Sequence, residues 1–109
     1  MKIPKTIKLL GYDFKVIVKK NLEGGKFSWS KREIEIGDKF LEKEEALLHE
    51  LFEAIMVKRL NRYYTNEGGA EFIFIFNHTQ FCRLMNDFYL VLKENNLLNG
   101  NEKRSLQKL

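Results

Sequence analysis

The spacing of apolar residues changes several times along the chain, and each change marks a predicted element. In the first third, Ile7-Lys8-Leu9-Leu10 and Phe14-Lys15-Val16-Ile17-Val18 gather β-branched and aromatic residues around the turn-forming Gly11-Tyr12-Asp13. Asn21 to Gly25 supplies a second turn. Phe27-Ser28-Trp29-Ser30 and Arg32-Glu33-Ile34-Glu35-Ile36 follow, the latter alternating polar and apolar as a strand with one buried face does. The pattern predicts a three- or four-stranded antiparallel sheet with one covered face.

Gly37-Asp38 ends the alternation, and from about Leu41 to Leu60 the chain has no Gly or Pro and is rich in Leu, Glu, Lys and Ala. A first helix is predicted there. Leu48, Leu51, Phe52 and Ile55 form its buried stripe, with Lys43, Glu44 and Lys58 on the wet side. The runs Arg62-Tyr63-Tyr64-Thr65 and Glu71-Phe72-Ile73-Phe74-Ile75-Phe76, separated by Asn66-Glu67-Gly68-Gly69, predict a hairpin. The second run is apolar on both faces, so it must be covered on both or meet a partner. Asn77 fits an N-cap, with Gln80 completing a capping box, and a second helix runs to about Glu94 with Phe81, Leu84, Met85, Phe88, Tyr89 and Leu92 as its stripe. Asn95-Asn96 and Asn99-Gly100-Asn101 end it. The expected fold class is α+β: a small antiparallel N-terminal sheet packed against two helices. It forms one domain over residues 1–109, with its core at about 5–95 and a polar tail at 96–109.

Composition narrows the chemistry. The 109 residues are 44% hydrophobic, enough for a single core, and no run approaches the roughly 20 apolar residues of a membrane-spanning helix. The N-terminus lacks the apolar stretch and small-residue cleavage site of a secretory leader, so the expected location is the cytoplasm. Cys82 is the only cysteine, which excludes an intrachain disulfide and a site built from several thiolates; on a helix stripe it reads as small core filling. The net charge of +4 is spread over alternating acidic and basic residues, and only Lys103 to Lys108 forms a basic cluster, which reads as a solvated terminus. Nucleic acid is therefore not the expected partner, and the phenylalanine run reads as core rather than as a base-stacking platform. Gly24-Gly25 and Gly68-Gly69 lack the flanks of a phosphate loop and read as turns.

A metal site in this chain must use histidine and carboxylate. His49-Glu50-Leu51-Phe52-Glu53 lies on the first predicted helix, where positions four apart share a side, so His49 and Glu53 reach one ion. Glu50 lies one position round from His49 and approaches a ligand of that ion instead. Glu50 and Glu53 have no Lys or Arg three or four residues away, so these carboxylates among apolar neighbours need another source of positive charge. His78, the only other histidine, falls in the first turn of the second helix. His49, Glu53 and His78 together make the two-histidine, one-carboxylate set of a catalytic zinc. The competing account is a core histidine, two solvated glutamates and an exposed first-turn histidine.

The order of sheet, strand Arg32–Ile36, helix with Leu47-Leu48-His49-Glu50-Leu51-Phe52-Glu53-Ala54, and second helix resembles the small phage- and prophage-type zincins. These are distant relatives of the ImmA/IrrE metallopeptidases and include variants with HExxE in the active helix. The resemblance implies zinc held by His49, Glu53 and His78, and Glu50 as general base for hydrolysis of a peptide or protein substrate. It implies a substrate paired to a sheet edge, expected at Arg32–Ile36; Tyr63, Tyr64 and Tyr89 are the candidate oxyanion donors. The chain departs from that family in the long segment Arg62–Phe76 and in the tail after Asn95. Two alternatives stand beside it: a metal-binding protein without peptidase activity, and a phage or host interaction module that uses the phenylalanine run and the basic tail.

Overall fold

The computed structural model describes residues 2–39, 42–65 and 71–98. The hairpin turn expected at Asn66–Gly69 and the basic cluster Lys103–Lys108 lie outside the described residues. Strands β1 (Thr6–Leu9), β2 (Tyr12–Lys19), β3 (Gly25–Ser28) and β4 (Glu33–Gly37) are followed by α1 (Lys43–Lys58), β5 (Arg62–Thr65), β6 (Glu71–Phe74) and α2 (His78–Glu94). The fold is α+β, with a four-stranded sheet, a two-stranded sheet and two helices.

The four-stranded sheet is mixed rather than wholly antiparallel. Its order is β1-β2-β4-β3, with β1/β2 and β3/β4 antiparallel and β2/β4 parallel. Leu10 and Gly11, both with positive φ, make the two-residue turn between β1 and β2. The chain then crosses past the β4 position and returns through the β3/β4 hairpin, which sets β4 parallel to β2. Gly37 permits this crossing: its N–H donates to Gly24 O at 2.6 Å, and a Cβ there would collide with the backbone of Leu22. β4 carries the fully buried Ile34 and Ile36 and takes the inner position, leaving β3 on the edge. The edge expected at Arg32–Ile36 is therefore Gly25–Ser28.

One sheet face is covered, as the alternation requires. Ile7, Leu9, Phe14, Val16, Ile34 and Ile36 pack against Ala46, Leu47, Leu51, Ala54 and Ile55 of α1. Within α1 the buried stripe thus lies one residue round from the expected one: Leu47 replaces Leu48, and Phe52 is half-buried. Trp29 Nε1 donates to Ala54 O at 3.1 Å and pins the β3–β4 connection to the helix.

α2 departs further from expectation. It buries Leu84, Asp87 and Val91, while Phe81, Met85 and Tyr89 of the predicted stripe are exposed. Phe88 meets Phe52 edge-on at 4.9 Å, and Asp87 accepts from Arg59 Nε at 2.7 Å and Nη2 at 3.2 Å. This ion pair is what allows a carboxylate onto the buried face. The capping box is present, with Asn77 Oδ1 accepting from the Gln80 N–H at 2.9 Å and Gln80 Oε1 from the Asn77 N–H at 2.8 Å. At the other end, the Asn95 amide accepts from Lys8 N–H and donates to Lys8 O, each at 2.8 Å, tying α2 to β1. Because α2 is anchored through its middle and end, its first turns stand clear of the core, and Cys82 is exposed rather than core filling. Among the described residues no helix is long and apolar enough to cross a membrane.

Candidate metal centre

α1 crosses the sheet over β3 and β4 and turns His49, Glu50 and Glu53 into a cleft between β3 and the start of β5. The i, i+4 spacing acts as expected: His49 Nε2 lies 2.6 Å from Glu53 Oε2. Glu50 Oε2 lies 3.8 Å from the same nitrogen. The ligating atoms of His49, Glu50 and Glu53 all fall within 4.8 Å of one another, so one imidazole nitrogen and two carboxylates can hold a metal ion. Nitrogen and oxygen donors of this kind suit a borderline divalent cation. Glu50, expected beside the ion, is thus also within reach of it.

The three side chains differ sharply in exposure. His49 is 62% exposed, whereas Glu50 is 6% and Glu53 15%. Burial of Glu50 is the main cause of a carboxyl pKa raised to about 7; His49 opposes the rise, Glu53 adds to it and Arg62 opposes it. A carboxyl poised there both gives and accepts a proton at neutral pH.

Two features of this site carry no signal in the local helix pattern. The first is Gly25 at the start of β3, where a Cβ would meet Glu35 O at 2.6 Å and Glu50 Cγ at 3.0 Å. Only glycine lets the Glu50 side chain lie against the edge strand, so Gly25 is a site residue as well as the end of a turn. The second is Arg62. Helix α1 closes with Asn61 N–H donating to Met56 O at 2.8 Å and Leu60 in the left-handed region at φ 62°, which turns the chain back beside the helix. Arg62 Nη1 then reaches Glu53 Oε1 at 3.3 Å, with its guanidinium 3.8 Å over the Phe72 ring. Glu53 therefore finds its cation nine residues along, beyond any helical spacing.

The cleft has a volume of about 450 Å³ and is bounded by Gly24–Phe27 on one side and Arg62 and Phe72 on the other. A more apolar groove of about 390 Å³, lined by Phe52, Met56, Phe72 and Phe74, continues from His49 and Glu53. His78 stands outside this group. It lies in the exposed first turn of α2, stacked on Phe81 at 6.4 Å and with Nε2 3.7 Å from Cys82 Sγ. The β5–β6 hairpin separates the helices in sequence, and α2 meets α1 through Asp87 and Phe88, so its first turn is not drawn to His49. Tyr63, Tyr64 and Tyr89, the candidate oxyanion donors, are exposed and do not line the cleft; the cationic donor that does is Arg62. No protein-family model, curated protein or solved structure matches the chain.

Proposed function

We propose that the protein is a zinc-dependent metallopeptidase, with Glu50 as the group that moves protons. The observation that carries this proposal is the convergence of His49, Glu50 and Glu53 at the foot of a cleft bordered by an edge strand. The resemblance of Leu47–Ala54 to the HExxE zincins supports the same chemistry. Zinc held by His49 and Glu53 would supply Lewis acidity to a water and to the peptide carbonyl. Glu50, as the carboxylate, accepts a proton from the attacking water and returns it to the departing amine. Arg62 holds the free oxygen of Glu53 and fixes that carboxylate's orientation. Among the described residues no strand pairs with the outer edge of β3, which offers backbone donors and acceptors to an extended peptide.

Metal binding without hydrolysis is the second reading, favoured by two observations: His78 lies away from the group, and Arg62 already compensates Glu53. Zinc stoichiometry and cleavage of an unstructured protein such as casein separate the two. For the peptidase, one zinc binds per chain and cleavage follows. Glu50→Gln then retains zinc and loses activity by about 10²- to 10⁴-fold, while His49→Ala loses both. Stoichiometric zinc without cleavage leaves only the binding function, and failure of the wild type to bind zinc removes both.

A further inference from the structure

Eleven of the fourteen large hydrophobic residues exposed among the described residues fall between Tyr63 and Leu90, in the β5–β6 hairpin, the segment after it and α2. Ile73 and Phe74 of β6 are 40% and 42% exposed, and Phe76, Phe81, Met85 and Tyr89 lie between 40% and 50%. The hairpin and the helix present a connected surface, because Phe76 stacks on Phe81 with centroids 6.1 Å apart. Strand alternation divides the hairpin residues between two faces, with Tyr64, Phe72 and Phe74 on one and Tyr63 and Ile73 on the other.

The free edge of β6 indicates what covers this surface. The Ile75 N–H donates to Asn61 O at 3.0 Å and Asn61 Nδ2 donates to Ile75 O at 3.0 Å, so the backbone groups of Ile75 face β5. Alternation along an antiparallel ladder then turns Ile73 and Glu71 towards β5 and leaves the N–H and C=O groups of Phe72 and Phe74 pointing outward. Among the described residues no strand pairs with that edge. A two-stranded ribbon in water is marginal, and a flat apolar edge recruits another strand. The edge is self-complementary: under a twofold axis near Phe74 it pairs antiparallel with its own copy. Its one charged residue, Glu71, then lies at opposite ends of the joined strands, with no like charges facing each other.

We infer that the chain forms a twofold homodimer in which β6 pairs with β6 of a second copy, making a four-stranded sheet covered by the exposed apolar side of α2. The inference does not rest on metal binding, since it uses neither His49 nor Glu53, although Phe72 and Phe74 line the cleft and groove beside them.

Sedimentation equilibrium of the full chain, from low to high micromolar concentration, tests it. The expected mass is twice the 13.0 kDa of one chain. Phe74→Pro removes an outward N–H that the hairpin does not use, and Met85→Lys puts a charge on the helix face. Each should weaken the dimer by at least about tenfold, or ~1.4 kcal/mol, with the far-UV circular dichroism of the monomer retained. In a Cys82→Ser background, Phe74→Cys should oxidise to a disulfide-linked dimer. A wild type that stays at 13.0 kDa throughout overturns the proposal; if that monomer partitions onto phosphatidylcholine vesicles, the surface serves a lipid instead. A dimer untouched by both substitutions and not cross-linked at position 74 also overturns it.

Discussion

Glu50 shows how one side chain sets a pH dependence. In the metal-free protein its carboxyl pKa rises from 4.5 to about 7, chiefly because burial disfavours the charged form. A raised acid pKa means the folded state holds its proton more tightly than the unfolded chain. The associated stability is fully present below pH 4.5 and is lost as pH rises through about 7. With a chelator present, urea titrations should therefore show wild-type stability falling between pH 5 and 8, and Glu50→Gln should flatten that slope and be the more stable protein at pH 8. An unchanged slope in the variant would show that Glu50 is not the group responsible. The i, i+4 pairing of His49 with Glu53 was legible in the sequence because helical geometry alone enforces it. The burial of Glu50 was not, since it depends on Gly25 arriving from another element.

At the scale of elements, β3 and α1 meet through a contact that has no room for a side chain. Gly25→Ala places a methyl group against Glu35 O and Glu50 Cγ, and β3 must move to relieve it. The expected cost is about 1–3 kcal/mol, measured by denaturant unfolding, together with weaker zinc binding by calorimetry; an Ala variant with native stability and affinity would contradict this packing. At the start of α2, Asn77→Ala removes a capping box and should cost about 1 kcal/mol, visible as a lower thermal midpoint. The existence of α1 was legible from its composition, and the start of α2 from its capping box. The buried side of α2 was not: Phe81, Met85 and Tyr89 make as good a stripe as Leu84, Phe88 and Val91. The choice was settled by Arg59 pairing with Asp87 and by Asn95 gripping β1.

For the whole molecule, a metal that binds only the folded chain adds to its stability. Free zinc at a hundred times its dissociation constant should contribute about 2.7 kcal/mol. For a domain of this size that raises the thermal midpoint by roughly 10–20 °C. Differential scanning calorimetry should find this shift in the wild type and not in His49→Ala. His78→Ala should keep it, because His78 stands outside the cluster. Loss of the shift in His78→Ala would show that α2 moves to deliver a third ligand when zinc binds.

The α+β class, the eight elements, the one-sided sheet and the His49–Glu53 pair follow from the sequence, because each rests on periodicity or spacing within a few residues. Tertiary structure decided what depends on residues far apart. It placed β4 inside the sheet and β3 on its edge, brought Arg62 to Glu53 around the end of α1, pressed Gly25 against Glu50, and left His78 and Cys82 on an exposed helix turn. A local pattern states which residues share a face. Which face is buried, and which charges meet, is set by the competition among all the elements for the same core.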